Sequence, residues 1–570
     1  MNIESQTEEK NPRKYCIIDR AVQAKIVDES SILSQRQLAQ KYNIPNTTLQ
    51  HWIDRKNKLG EKIDPNVVNF FESSSGQAWL HKMVLATFSI FHKNGNCGIP
   101  DLHEYFEMVE ISMFVGTSIS VLQKVDKILD KQIIFFGNEE TERLAQNMPH
   151  KNITGAVDEN FIMGDMTLIL MAPVEGFILA EQIEEKRDAE TWYKVTQAAL
   201  KGLNITIHQL VGDEAGGLTK LATGALKVIK GPDLFHVQQE ITKGLTSHLA
   251  RTLQQVKKKQ EDLQKEKLEM LAKFGDHLKC VEEVQELSKR GINAGKRIIE
   301  IEKEEKSNQK IIEVTENRYR TAQEARRGIT HDYHPFSLDT GEKQLPEVVK
   351  AKLEKSYATL ETIAKEAGCT DKQKQKLEKS KGALGPMIAV LFFFFSFLAL
   401  TIKSMGLDES SGKLFERLVS IEYLKLCLQR AKKKRQKDTI KTTLRRLEKE
   451  LASSILWGQI ARAVQTEWWR KALECAQVFQ RSSSCVEGRN GQLALKFHAF
   501  RRLNAHTLQV LTVLHNFFIK RMDGTTAAER FFEQKPRDLF TWLLDKIELP
   551  RPREKHTRRG KELTTERQAA

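Results

Sequence analysis

Apolar and polar positions alternate with more than one period along this chain. Between residues 34 and 60 the apolar residues fall at helical spacing, with Leu38 and Ala39 followed by Leu49, Trp52 and Ile53. Ser34-Gln35-Arg36-Gln37 has the form of a capping box, Ser34 as N-cap and Gln37 reaching back. Tyr42-Asn43-Ile44-Pro45 reads as a turn, and Asn46 as the cap of a second helix from Thr47 to Arg55. Residues 1–60 are therefore expected to form an all-α helix-turn-helix region that presents Thr48, Gln50, His51 and Arg55 outward. Recognition helices set such polar side chains against base edges in the major groove. An ordinary helical hairpin is the alternative.

Residues 64–145 continue as a second helical block. Asp64-Pro65 opens it, Trp79 to Phe91 and Ile99 to Phe106 follow, and Val115 to Ser120 reads as a further turn and helix start. A second helix-turn-helix or a helical spacer both fit. From Asn152 the period shortens. Ile153 to Asp158, Met166 to Ala172, Phe177 to Glu184 and Ile205 to Asp213 read as strands. An amphipathic helix from Asp188 to Lys201, carrying Trp192 and Val195, precedes the fourth strand, and Gly216-Gly217-Leu218 opens another helix. Three strands, a helix, a strand and a helix is the ribonuclease H-like order, assigned here to residues 150–244.

A helical region starts at Pro232 to Gly244 and runs to about Arg481, with one interruption at His331 to Phe336. Leu253 to Glu305 is dense in Lys and Glu with apolar residues at helical spacing, as in the solvated face of a coiled-coil hairpin. Residues 245–481 thus form a large all-α insertion. Within it, Met387 to Leu400 is almost wholly apolar and includes four consecutive phenylalanines from Phe392. A membrane span needs about 20 predominantly apolar residues. This run only just qualifies, and Gly385-Pro386 should break its first turn. A buried core helix is expected over residues 384–402, with a membrane-associated segment as the alternative; a membrane partner is not expected. Residues 482–549 return to the core as C-terminal helices, and 550–570 form a basic, Pro-containing tail expected to be disordered.

Composition narrows the partner. The formal net charge of +15 suits a polyanion. The cysteines are scattered, without CxxC pairs, which argues against a disulfide framework or a zinc knuckle and fits a reducing cytoplasm. The polar N-terminus has no secretory pattern. No GxxxxGK[ST], HExxH or GxSxG sequence is present.

Three carboxylates are the candidate chemistry. Asp158 and Asp213 each end a strand-like run, and Glu487 opens a helix in Ser482 to Gly491. Asp158 is preferred to Glu159 because adjacent strand residues face opposite sides. Carboxylates suit Mg²⁺ or Mn²⁺, and two such ions about 3.5–4 Å apart can polarise a phosphate, activate a nucleophile and stabilise the leaving oxygen. Ser484-x-x-Glu487 is also a capping-box sequence, so Glu487 has a purely structural alternative. The small residues below it, Asn490, Gly491 and Ala494, would let the helix lie close on a sheet.

The segments Gly155-Ala156-Val157-Asp158-Glu159, Leu210 to Leu218, Asp233-Leu234-Phe235-His236, Val486-Glu487-Gly488-Arg489-Asn490-Gly491, and Leu511 to Arg530 resemble bacterial insertion-sequence DDE transposases. The resemblance implies an α/β catalytic core, a ribonuclease H-like mixed sheet, split by the all-α insertion. It implies that Asp158, Asp213 and Glu487 are catalytic and bind two Mg²⁺ or Mn²⁺ ions. Asp233 and His236 would support them, and Arg489 and Asn490 would contact DNA phosphate or a flipped end. The Tyr, Arg, Glu, Lys spacing of one large group of these transposases is not reproduced around Glu487, since Ala494 stands where it has Lys, which places the chain outside that group. Further implications are binding of terminal inverted repeats and target DNA, cleavage and strand transfer, a homodimer, and a cytoplasmic, nucleoid-associated location. The alternatives are a catalytically inactive, transposase-derived DNA-binding protein and, last, a membrane-associated helical scaffold.

Overall fold

The computed structural model describes residues 20–60, 63–162, 165–275, 284–500 and 503–552. The tail beyond residue 552, and the first part of the region 1–60, lie outside them. The described chain forms two compact units: residues up to Met148 together with those from Gln492 onward, and Pro149–Gly491. The segment 482–549, expected as one return to the sheet, is therefore divided between them at Gly491.

In the first unit three short helices, Arg20–Glu29, Gln35–Tyr42 and Asn46–Gly60, enclose Ile26, Leu38, Ile44 and Leu49. Both halves of the capping box are present: the Gln37 amide donates to Ser34 Oγ, and Gln37 Oε1 accepts from the Ser34 amide at 2.9 Å. Asn43 closes the first helix of the pair in the left-handed conformation, φ 52°. Asn46 is already helical rather than a cap, because the Leu49 amide donates to the Pro45 carbonyl; the helix also extends five residues beyond Arg55. The first helix, Arg20–Glu29, is tied on by Lys41 and Tyr42, which both donate to the Glu29 carboxylate. Ser34→Ala should cost about 1 kcal/mol locally. Faster amide exchange in the first turn of Gln35–Tyr42 would register it; unchanged exchange would show that the box carries no stability.

The rest of this unit is helical, with Ile119–Ala145 its longest element. Gly137 lies where a Cβ would come within 2.4 Å of Val513, so Ile119–Ala145 and Ala505–Phe517 approach closely there. Buried Glu140 is held by Arg143 and by both the amide and guanidinium of Arg537.

The second unit is built on a mixed sheet of order β3-β2-β1-β4-β5: β1 (Lys151–Ile162), β2 (Asp165–Ala172), β3 (Phe177–Glu184), β4 (Ile205–Gly212) and β5 (Ile229–Pro232). β1, β2 and β3 are successively antiparallel, while β4 and β5 run parallel to β1. Two features depart from expectation. β1 continues past Asp158, since its pairing with β2 persists to Ile162↔Asp165 after its pairing with β4 stops at Ala156↔Val211. β5 was not expected; its four residues include Gly231 and Pro232, which suit an edge strand but carry no strand signal.

The helical part of this unit is several helices rather than one interrupted run. Ser247–Gly275 and Val284–Asp332 form an antiparallel pair, with Ala294, Ile301, Asn308, Thr315, Ala322 and Ile329 recurring every seven residues on the buried side. Asn308 donates to the Val256 carbonyl and to Gln260 across the pair, both at 2.9 Å, a polar contact that fixes register. The interruption at His331 to Phe336 lies largely in the core, from Tyr333 to Phe336. His334 is buried, its Nδ1 bonded to the Tyr423 hydroxyl at 2.6 Å, while Arg481 donates to its Nε2 and to the Thr330 and Tyr333 carbonyls.

Leu384–Ser404 is long and apolar enough to cross a membrane. Here it packs on the sheet unit through Met387, Val390, Leu391, Phe394 and Leu398, while Phe392 and Leu400 stay exposed. Pro386 does not break it, because the first turn of a helix has no use for the missing amide proton.

Candidate metal centre

Register aligns the acids. Ala156 pairs with Val211, and Gly212 with Pro232, so two further steps along the first ladder bring Asp158 level with Asp213, and one along the second brings Asp213 level with Asp233. In the other direction Asp158 pairs with Ile169, and Ile169 with Glu181. Glu181, Ile169 and Asp158 thus form a row on β3, β2 and β1, which Asp213 and Asp233 continue from just past the ends of β4 and β5. Glu159, one residue on, faces the other way and is held by Trp192 Nε1 and Arg187, each at 3.1 Å.

The helix Ser484–Phe500 starts over this row and matches it residue by residue. Ser483, just before the helix, donates its hydroxyl to Asp233 Oδ2. One turn on, Glu487 meets Asp233 and His236, with one ligand atom from each of the three within 4.8 Å of the others. Asn490 Nδ2 donates to Asp158 Oδ2 at 2.7 Å. Arg489 forms a two-pronged pair with Glu181, Nε at 2.7 Å and Nη2 at 2.6 Å. Positions 483, 487 and 490 share a helix face by their spacing. The alternative Ser484–Glu487 capping box is absent: the Ser484 amide donates to Ser482, and the Ser483 carbonyl takes the Val486 and Glu487 amides. Nor do small residues bring the helix close, since Gly488 and Gly491 face open space. Buried Val486 and Arg489 do so instead.

Arg489 is therefore not placed to contact DNA. Arg489 is 4 % exposed and committed to a carboxylate, and Asn490 points into the site. The interior position follows from Glu181, a carboxylate within an otherwise apolar strand face, which must be neutralised. That out-of-pattern acid in Phe177–Glu184 was the available sequence signal. Thr48 and Arg55 of the presumed recognition helix are half-buried, Arg55 lying 3.4 Å from Glu72; Gln50 bonds Gln35 and Asp54, and His51 is exposed.

The electrostatics reflect crowding. Burial pushes Asp158 up to about 6, reinforced by the charge of Asp213 and opposed by the Glu159 amide, His236 and Asn490. Burial, then the charges of Asp233 and Asp158, raise Glu487. Burial also works to raise Asp233, but bonds from His236, Ser483 and the Phe235 amide outweigh it and hold it low. The Asp233 hydrogen bond raises His236, and Asp158 and Asp213 add to it. Asp233 Oδ1 already caps the helix Leu234–Ile241 and its Oδ2 takes Ser483, so it is a positioning residue for His236 and the overlying helix. Behind Asp213, Lys230 donates to the Asp213 carbonyl and lies 3.7 Å from Glu214; burial depresses its pKa.

The donor set fits a hard divalent cation. Carboxylate oxygens dominate, one imidazole is within reach, and Asn490 Oδ1 is buried without a hydrogen-bond partner beside Asp158.

Two segments match known families. Residues 17–60 match the helix-turn-helix, Psq domain, and residues 414–558 match a family of unknown function, DUF6399. The first supports binding of double-stranded DNA by the N-terminal helices. No curated protein matches the chain.

Proposed function

We propose that the chain is a transposase-related protein that binds duplex DNA through its N-terminal helix-turn-helix and cuts and joins DNA strands at the carboxylate row of a ribonuclease H-like sheet unit. The observation that carries this reading is the row itself, Asp158 on β1 with Asp213 and Asp233 just past the ends of the parallel strands β4 and β5, and Glu487 set over it. The strand order β3-β2-β1-β4-β5, with its one antiparallel half, is the order such a core requires. A Psq-type helix-turn-helix combined with the DUF6399 segment is typical of Tc1/mariner-like transposase-derived proteins, which supports the same class.

Asp158, Asp213 and Glu487 would hold Mg²⁺ or Mn²⁺, which supplies polarisation of the phosphate and a more acidic nucleophile. Asn490 orients Asp158, leaving its own Oδ1 directed into the site. Asp233 fixes the ring of His236 through Nδ1, so that Nε2 is the nitrogen left for a substrate proton or oxygen. Wild-type chain incubated with Mn²⁺ and DNA flanking its own coding sequence should release cut ends. Asp213→Asn and Glu487→Gln should each lower the rate at least a thousandfold with DNA affinity retained. A second reading, a DNA-binding protein without cleavage activity, is favoured by the close set being Asp233, His236 and Glu487 rather than the three metal-ligand candidates. End binding without cleavage by the wild type would select it.

A further inference from the structure

Residues 432–446 carry eight Lys and Arg side chains against a single carboxylate, Asp438. Elsewhere on the surface, helical cations meet acids one turn away, as in Lys413–Glu409, Arg470–Glu474 and Lys194–Glu190. Here, among the described residues, Lys432, Lys433, Lys434, Lys437, Lys441 and Arg445 form no ion pair. Lys434, Lys437, Lys441 and Arg445 recur at helical spacing along one side of Lys434–Ala452, and Lys432 and Lys433 lead into it. The stripe rises about 16 Å along the helix.

The helix holding the stripe is rigidly seated. Ile440, Leu444, Leu447 and Leu451 are buried, and the Thr443 hydroxyl donates to the Leu338 and Asp339 carbonyls. Gly341, at φ +66°, brings the turn so close that a Cβ would stand 2.5 Å from Leu447. Unpaired like charges fixed on a rigid helix repel one another, and a polyanion relieves that repulsion. A membrane surface is the weaker fit, because an interfacial helix inserts apolar side chains, and all of those here face the core.

We infer that this stripe is a second, sequence-independent duplex-DNA contact, on the sheet unit and separate from the helix-turn-helix. It rests on the DNA reading above but concerns different residues. Phosphate contacts release condensed counterions, so each one steepens the salt dependence of binding by about 0.9 in log–log slope.

The test is fluorescence anisotropy of the full chain on a random-sequence duplex between low and physiological salt. A triple Lys434→Glu, Lys441→Glu, Arg445→Glu variant should bind ten- to a hundredfold more weakly, with a slope shallower by about two to three. The triple Gln variant should show a smaller change in the same direction, which keeps the test valid if glutamates disturb the fold. A Lys413→Gln variant, which removes a surface cation already paired with Glu409, should leave random-sequence binding nearly intact. Unchanged slopes in both triple variants, with wild-type binding present, would overturn the stripe alone. Absence of wild-type DNA binding would overturn the functional reading as well. Loss of binding to phosphatidylserine vesicles but not to DNA would reassign the stripe to a membrane surface and overturn it.

Discussion

Asp158→Asn should make the sheet unit more stable than wild type at pH 7, by on the order of 2–3 kcal/mol, and abolish its response to divalent cations. Burial and the neighbouring Asp213 raise the Asp158 carboxyl from 3.8 to about 6. The folded state therefore holds this proton more tightly than the unfolded chain does. The group's contribution to stability is fully present below about pH 4 and is lost as pH rises through about 6. The asparagine never ionises, so its variant lacks that slope, and Asn490 can still donate to its side-chain oxygen. Mg²⁺ offsets the crowded negative charge in the wild type, and saturation to a hundred times Kd should add about 2.7 kcal/mol. Calorimetric unfolding of the full chain at pH 4.5 and 7, with and without Mg²⁺, reads all of this. A variant less stable than wild type at pH 7, or one still stabilised by Mg²⁺, would contradict the assignment of Asp158 to the site.

Arg489→Met should cost 3–5 kcal/mol, roughly the loss on removing one partner of a buried ion pair. Glu181 has no exposed side-chain surface and Arg489 only 4 %, so the buried carboxylate would lose this two-pronged guanidinium. Arg489→Lys keeps the charge but loses the two-pronged geometry, and should fall between. Adding Glu181→Met to Arg489→Met should recover most of the loss, because the pair as a whole contributes little beyond its own desolvation. Urea midpoints of the four proteins form the test. If Arg489 served DNA phosphate instead, its removal would spare stability and lower the salt slope of DNA binding by about one.

These residues show where sequence reading succeeded and where it stopped. Local chemistry was legible. Ser34 and Gln37 announce their capping box within four residues, and the helix read from Asp188 to Lys201 is Ala189–Leu200, with Asp188 as its cap. β2 and β3 follow their apolar runs. Long-range neutralisation was not legible, since Arg489 and Glu181 are 308 residues apart and nothing local in either predicts the other. Read alone, an arginine beside a candidate acidic site looks like a phosphate ligand. β5 escaped because four residues including Gly and Pro carry no period, and with it went the placement of Asp233 in the row. His334 gave no sign of its role in the chain, and the structure shows Tyr423 and Arg481 satisfying both of its ring nitrogens in the core. The carboxylates could be named from the chain, but their alignment depends on strand register, which only pairing across the sheet defines.

Mn²⁺ titration of the full chain, followed by electron paramagnetic resonance, tests the central claim most directly. Asp158, Asp213 and Glu487 should form one divalent-cation site, so the wild type should take up Mn²⁺, Asp158→Asn should abolish uptake, and Asp213→Asn and Glu487→Gln should each weaken it tenfold or more. Equal Mn²⁺ uptake by the wild type and all three folded variants, or none by any of them, would contradict it.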